Sequence, residues 1–514
     1  MAPTSTPPAS DGTQRDLLSL PGLAVAVGAI TILRLLYLTV FPFDLHPDEA
    51  QYWSWSRSFE WGYFSKPPMV AWLIGLATAL CGPGEACIKA ASPILHAATA
   101  FFVYGAAHRL YGLRAGVLAG LVFLTLPGVS FSATIMSTDP PLLTCWAAAF
   151  YILVRLRDGV ERPYPWWLAL GIAVGVGLLS KYAMVFFILG LVLWLALDAD
   201  ARGRLVGGGP GRNGLAMAAA VAALIVLPNL IWNASSGFVT FAHTAANANL
   251  GGELLRPEKL ADFLGAQFGV FGPILFAALA WLVLRCDRWS REPRARMLAA
   301  FVLCVLLPIT VVSLLSRAHA NWAATAYVAG AIWVAGALDG RIGRAAIWAS
   351  VALHVAAAAV GFASSIGHTE PGRYGGVAVP AYLDPYMHYR GWRVVGERLS
   401  AIRTQYPGVP LLGHDRMTVA SALYYVRPRP VEIYAWHHPD DPITNHFRMT
   451  RPWPDRTGGE ALLISRKDDV DSILAGFRRH RLVARFSVPV ATDVRRDVRV
   501  FHVSGFLGYK RGQP

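Results

Sequence analysis

Residues 67–84, PPMVAWLIGLATALCGPG, decide how this chain is threaded. The run is apolar, opens on Pro67-Pro68 and stops at Cys81-Gly82-Pro83-Gly84. A helix that crosses the hydrocarbon core needs about 20 apolar residues. This stretch is shorter, so it reads as a helix lying at the interface rather than a span. Reading it as a span would invert every later loop, and the arginines test that choice. With the N-terminus inside, the inner loops hold fifteen arginines: Arg109 and Arg114; Arg155, Arg157 and Arg162; Arg202, Arg204 and Arg212; Arg285, Arg288, Arg291, Arg294 and Arg296; Arg341 and Arg344. The outer loops, longer in total, hold six basic residues, Arg57, Lys66, Lys181, Arg256, Lys259 and Arg317, with Lys89 at a boundary. That is the bias expected of inner loops. Counting 67–82 as a span would place the arginine clusters outside.

The composition agrees. The chain has 514 residues, 54% hydrophobic and 15% charged, where soluble domains carry about 25% charged residues. A net charge of +14 would suggest nucleic acid in a soluble protein. Here the arginines sit between apolar runs, so the charge is topological and nucleic-acid binding is excluded. Apolar on all sides, the runs are helices rather than alternating barrel strands. They predict spans near 17–41, 89–108, 115–133, 140–156, 164–180, 183–198, 214–232, 263–285, 297–315, 322–338 and 344–364. The expected fold is an α-helical polytopic membrane protein of about 11 spans (range 11–13) with a small C-terminal α/β domain.

The domain reading is a disordered inner tail at 1–16, a membrane domain at 17–365 with a long first outer loop at 42–88, and an outer α/β domain at 366–514. The tail is polar and rich in Pro, Ser and Thr. The first span is too long for a signal-peptide core and lacks a cleavage pattern. In the C-terminal part, strands are expected at 409–413, 431–435, 461–465, 481–488 and 498–503, and helices at 418–426 and 468–477. The five cysteines show no metal spacing. Cys81 and Cys87 could pair if their loop faces an oxidising compartment, and Cys145 and Cys304 read as packing.

A threading fixed by arginines puts the notable polar residues on the outer face. Asp48, Glu49 and Lys66 lie in the first outer loop, Asp139 at the second outer turn and Lys181 at the third. His243 lies in the fourth, and Arg317, His319 and Asn321 at the fifth. The cations suit a phosphate. A carboxylate suits proton abstraction from a hydroxyl, or a metal. Long apolar helices below could hold a lipid tail. The competing structural readings are a helix-capping role for Asp48, a solvated Glu49, a snorkelling Lys66 and a turn role for Asp139. Within the spans, Arg34 needs a partner, and His96 and His354 read as packed and neutral. The aromatics of 52–64 read mostly as an interfacial belt.

The order Asp-Glu-Ala-x-Tyr (48–52), Tyr-Phe-x-Lys-Pro-Pro (63–68), Ser-Thr-Asp-Pro (137–140) and Ser-Lys-Tyr (180–182) resembles the GT-C glycosyltransferases. The resemblance is to the branch containing aminoarabinose transferases of lipid A and protein O-mannosyltransferases, and it covers most of 17–365. It implies a polyprenyl-phosphate sugar donor, transfer with inversion, and catalytic roles for Asp48 and Asp139. It also implies donor-phosphate contacts from Tyr63, Lys66 and Lys181. Arg317 joins these as a further phosphate candidate, with Glu49, His243, His319 and Asn321 near the acceptor, the sugar or behind the reacting groups. Aminoarabinose transferases commonly carry Glu just before this lysine, where a metal has been associated. Ser65 stands there, so no cofactor is assigned and a divalent metal is in doubt.

The expectation is a bacterial inner-membrane glycosyltransferase whose site and C-terminal domain lie on the periplasmic side. Its acceptor would be a lipid, glycan or protein of the envelope. The rivals are a lipid-linked-sugar flippase, which needs polar residues at mid-membrane depth, and an envelope-assembly scaffold, which would tolerate loss of Asp48.

Overall fold

The computed structural model describes residues 19–248, 255–366 and 370–509. The tail expected at 1–16 lies outside the described residues. Helix α1 (Leu20–Thr39) is followed by α2 (Pro47–Trp55), α3 (Met69–Cys81), α4 (Glu85–Tyr111), α5 (Leu113–Thr125), α6 (Pro127–Ser132), α7 (Asp139–Asp158) and α8 (Pro163–Ser180). Then come α9 (Val185–Leu197), α10 (Ala199–Leu205), α11 (Gly209–Ser235), α12 (Val239–Ala248), α13 (Pro257–Val270), α14 (Pro273–Leu284) and α15 (Cys286–Trp289). The membrane part closes with α16 (Pro293–Leu315), α17 (Ala326–Ala337) and α18 (Arg341–Ser365).

Every expected span is helical, but not every one is a single long rod. Among the described residues, 6 helices are long and apolar enough to cross a membrane, or up to 8 if bent pairs count as one. The run 115–133 breaks at Leu126-Pro127. In 322–338 the α-helix covers only Ala326–Ala337, after a tight 3₁₀ turn at Ala320–Ala323. The run 263–285, expected as one span, is two helices bent by 117°. Gly272 makes that bend, with φ at 88° and His354 Nε2 only 1.9 Å from where a Cβ would stand. Gly272→Ala should therefore cost about 2 kcal/mol or more and lower the unfolding temperature in detergent. An unchanged temperature would contradict this account of the bend.

Helix α3 is 13 residues long, about 20 Å at 1.5 Å per residue, and does not reach across a core of about 30 Å. A Cys81–Cys87 disulfide joins its end to the start of α4. The arginine loops gather at one end of the bundle. Arg109 pairs with Asp158, Arg296 with Asp198, and Arg294 lies over the Tyr111 ring. Inside the bundle, Arg34 donates to the Leu124 carbonyl and Ser130, His96 meets Ser132, and His354 meets Ser350.

The C-terminal part begins with a small ribbon, β1 (Arg373–Tyr374) and β2 (Val377–Ala378), then α19 (Trp392–Arg403). Next are β3 (Leu411–Gly413), α20 (Arg416–Tyr425), β4 (Ile433–Ala435), α21 (His446–Thr450), β5 (Glu460–Ser465), α22 (Asp471–Leu474), β6 (Phe477–Pro489) and β7 (Arg495–Phe506). The five-stranded sheet runs β4-β3-β5-β7-β6, with β3 parallel to β4 and β5, and β7 antiparallel to β5 and β6. All five expected strands are present. The helix expected at 468–477 shrinks to α22, because Phe477 starts β6. Helix α19 was not anticipated; it lays Trp392, Val395 and Leu399 into the core.

That core is shared. Leu45, Trp55, Tyr63 and Ile74 of the first outer loop pack with Trp392, Val395, Val419 and Tyr425 in one cluster. Polar bonds fix the register. Tyr425 Oη accepts from the Leu45 N–H at 2.6 Å and donates to Glu85 at 2.9 Å, Asp44 accepts from the Trp392 N–H at 2.8 Å, and Arg393 pairs with Glu85 at 2.9 Å. The α/β domain therefore sits on the outer loop as part of the same packed unit.

Candidate active site

Helix α2 starts with a reciprocal cap made by its neighbours, not by Asp48. His46 Nδ1 accepts from the Asp48 N–H at 3.1 Å, and the Glu49 carboxylate accepts from the His46 N–H at 2.9 Å. Glu49 is fully committed below the site. It also accepts from the Met136 N–H at 2.9 Å and lies 3.5 Å from the buried Lys89 ammonium. Asp48 is thus released from capping. Its Oδ1 accepts from Arg416 Nη1 at 2.6 Å, and the same nitrogen donates to Gln51 Oε1 at 2.9 Å. Burial opposes the Asp48 charge, but Arg416, His46 and Lys66 outweigh it and hold its pKa below the usual carboxylate value.

Tyr63 and Lys66 form the two ends of a tight turn, bonded through their backbones at 3.1 and 3.4 Å. The Tyr63 ring stacks on Trp55 with centroids 4.5 Å apart. Its hydroxyl is engaged by the carbonyls of Ser58 and Trp55 at 2.8 and 3.0 Å. Tyr63, expected at the donor phosphate, instead holds the turn that presents Lys66. The half-buried Lys66 ammonium has no hydrogen bond or ion pair with any described residue. Burial lowers its pKa, Lys181 and Arg416 lower it further, and Asp48 and Asp139 work the other way.

Asp139 opens α7 and is held on both oxygens, by Lys181 Nζ at 2.6 Å and Asn321 Nδ2 at 2.6 Å. Lys181 reaches it from the extended break after α8. Arg317 and His319 are exposed, and His319 lies within electrostatic reach of Arg317, Lys181 and Lys66. His243 is half-buried beside the Phe64 ring at 5.4 Å and within reach of Lys66, Arg416 and Asp48. Asp48, Asp139, Lys181, His243 and His319 thus lie within electrostatic reach of Lys66, Asn321 joins them through Asp139 and Arg317 through His319, while Glu49 and Tyr63 pack behind.

Sequence reading missed Arg416 and Gln51. Gln51 lies inside the Asp-Glu-Ala-x-Tyr motif as its variable position. Arg416 had no local signal; it stands 368 residues from Asp48.

Among the described residues, no three His, Cys, Asp or Glu side chains form a metal-ligating group. Asp48 and Asp139 are each matched to a cation, and Ser65 offers only a hydroxyl. This donor set does not fit a resident divalent metal, and no step is routed through one.

The family profile described as dolichyl-phosphate-mannose-protein mannosyltransferase matches residues 65–232. Lipid A galacturonosyltransferase RgtD of Rhizobium johnstonii is 37% identical over 317 residues, 61% of this chain. That match spans 65% of the relative's length, just under two thirds. The undecaprenyl phosphate-alpha-4-amino-4-deoxy-L-arabinose arabinosyl transferase 2 of Sodalis glossinidius is 28% identical over 34% of this chain and 36% of its own. In three dimensions, ArnT from Cupriavidus metallidurans bound to undecaprenyl phosphate superposes with a TM-score of 0.64 at 18% identity. That likeness covers 94% of this chain and 98% of that one. The chain is thus similar in sequence to these glycosyltransferases over part of its length and shares the fold of ArnT.

Proposed function

We propose that this protein transfers a sugar, with inversion, from a polyprenyl-phosphate donor to an envelope glycolipid at the periplasmic face of the bacterial inner membrane. The observation that carries the reading is the unpaired Lys66 ammonium between two carboxylates that are each already held by a cation. Such a group is ready for an anion that the chain does not supply. The donor phosphodiester answers it, with Lys181 and Arg317 as further cations. The orientation is supported by the arginine loops gathered at the opposite end and by the Cys81–Cys87 disulfide, which suits an oxidising compartment.

In the proposed step the acceptor hydroxyl oxygen attacks the anomeric carbon from the face opposite the phosphate. The carbon–oxygen bond to phosphate breaks, and its electron pair leaves with the polyprenyl phosphate. The hydroxyl proton passes to Asp48, or by way of Asp48 to solvent. Lys66, Lys181 and Arg317 stabilise the second negative charge that develops on the leaving phosphate. Asp139 fixes Lys181 in place, and Asn321 fixes Asp139. His243 and His319 flank the space as candidates for sugar hydroxyls.

The names of the relatives direct the choice of sugar and acceptor to a galacturonosyl unit and lipid A. Mass spectrometry of envelope glycolipids and glycoproteins from a deletion strain should show loss of one glycosyl residue from lipid A, restored by the wild-type gene. An unchanged envelope profile would overturn the reading. The flippase rival is disfavoured because Arg34, His96 and His354 each bond to a neighbouring helix turn or hydroxyl instead of lining a path.

A further inference from the structure

The α/β domain places one side chain on the candidate catalytic carboxylate. Arg416 follows the carboxyl end of β3, the end at which parallel α/β sheets present residues to ligands. Its backbone is fixed as the first residue of α20. The Asp415 carboxylate accepts from the Met417 and Thr418 N–H groups at 3.0 and 3.1 Å, and Arg466 holds Asp415 at 3.3 Å. From that anchored start Arg416 Nη1 forks onto Asp48 Oδ1 and Gln51 Oε1. Gln51 is buried, so this contact locks the guanidinium to the α2 surface. On the other Asp48 oxygen, Oδ2, the nearest described basic nitrogen is His46 Nδ1 at 3.8 Å, a neutral nitrogen that accepts from the Asp48 N–H.

We infer that Arg416 is a positioning residue for the transfer: it pins Asp48 Oδ1 and leaves Oδ2 as the oxygen that meets the acceptor hydroxyl. This rests on the proposed function only for the identity of the hydroxyl. The physical content, a carboxylate oriented and kept ionised by a distant domain, stands on the geometry. A fixed carboxylate loses less freedom when the acceptor arrives, and one oxygen aimed at the hydroxyl is what a positioned proton acceptor requires. The reaction then depends on docking of the α/β domain, although no residue of that domain needs to touch the sugar.

Asp48 faces Arg416 from α20, Lys66 from the turn, His243 from α12 and His388 from the segment before α19, with His46 on its own helix. The phenols of Tyr52 and Tyr389 are also within electrostatic reach. Of these, Arg416 is the only permanently charged group in hydrogen-bond contact.

The test uses the full-length protein in detergent or nanodiscs. Arg416→Gln keeps a donor toward Asp48 but removes the charge, so the acid limb of the kcat/KM–pH profile should move to higher pH, with kcat falling about tenfold or more. Arg416→Lys should move the limb back toward wild type. Arg393→Gln, which loosens the docking bond to Glu85, should lower the unfolding temperature and leave the limb in place. A pH titration of the Asp48 carboxylate by difference infrared spectroscopy, with Asp48→Asn identifying the band, needs no substrate and should show the same upward shift in Arg416→Gln. An unmoved limb or an unmoved infrared titration overturns the inference. Transfer absent from the wild type with an otherwise shifted infrared titration would overturn the proposed function instead, and with it the role of Oδ2, while confirming that Arg416 governs Asp48.

Discussion

Asp48→Asn should keep expression, folding and donor binding but reduce transfer by about 10²–10⁴-fold, the range expected for removal of a positioned acid–base group. The substitution is nearly isosteric. An amide oxygen can still accept from Arg416, so the fork onto Gln51 survives and α2 keeps its His46–Glu49 cap. What disappears is the negative charge and the oxygen that could take a proton. Asp48 is held below the usual carboxylate pKa, so it remains ionised through neutral pH. Its contribution is lost only as pH falls through that depressed value. The depression also makes it a weaker base than a free carboxylate, so besides orienting the hydroxyl it takes the proton late in the transfer, as positive charge develops there. Measured turnover of the variant with a polyprenyl-phosphate sugar decides the matter, and wild-type turnover would remove Asp48 from the mechanism.

Lys66→Ala should weaken donor affinity by about 10²-fold with little change in unfolding temperature. A hydrogen bond to a charged group contributes about 1.5–3 kcal/mol, and Lys66 forfeits no protein partner when it is removed. Its lowered pKa fixes the sign of a pH effect. The ammonium is lost on the alkaline side earlier than in an ordinary lysine, so donor affinity should decline there. Lys66→Arg should abolish that alkaline decline, because guanidinium stays charged, even if its different shape lowers affinity overall. Titration with undecaprenyl phosphate across pH reads all three forms. Equal affinity in Lys66→Ala and wild type would remove the lysine from the phosphate site.

Much of this protein is legible along the chain, because the forces that threaded it act locally. Hydropathy located the helices, and the arginine bias grouped the loops that gather at one end. Short strand-like runs set between helix-like ones located all five strands of the C-terminal sheet. The same threading gathered Asp48, Lys66, Asp139, Lys181 and Asn321 at one end, and they do converge there. The misses share a different character. Gly272 turns 263–285 into a bent pair because His354 fills the space a side chain would need, and that neighbour comes from α18. Tyr63 belongs to a motif beside Lys66, yet its hydroxyl is taken by two carbonyls of the preceding turn. The capping role that competed with a functional reading of Asp48 is taken by His46 and Glu49.

The sequence by itself determined the class of protein, the end of the helix bundle at which its polar residues collect, and which carboxylates and lysines to suspect. Only the tertiary structure decided how those groups are paired: Lys181 and Asn321 to Asp139, Arg416 to Asp48, and Lys66 to none of the described residues. Pairing depends on distances of a few ångströms between segments up to 368 residues apart. Helix and strand periodicity carry no information at that separation, whereas the charge state and orientation of a catalytic group depend on it directly.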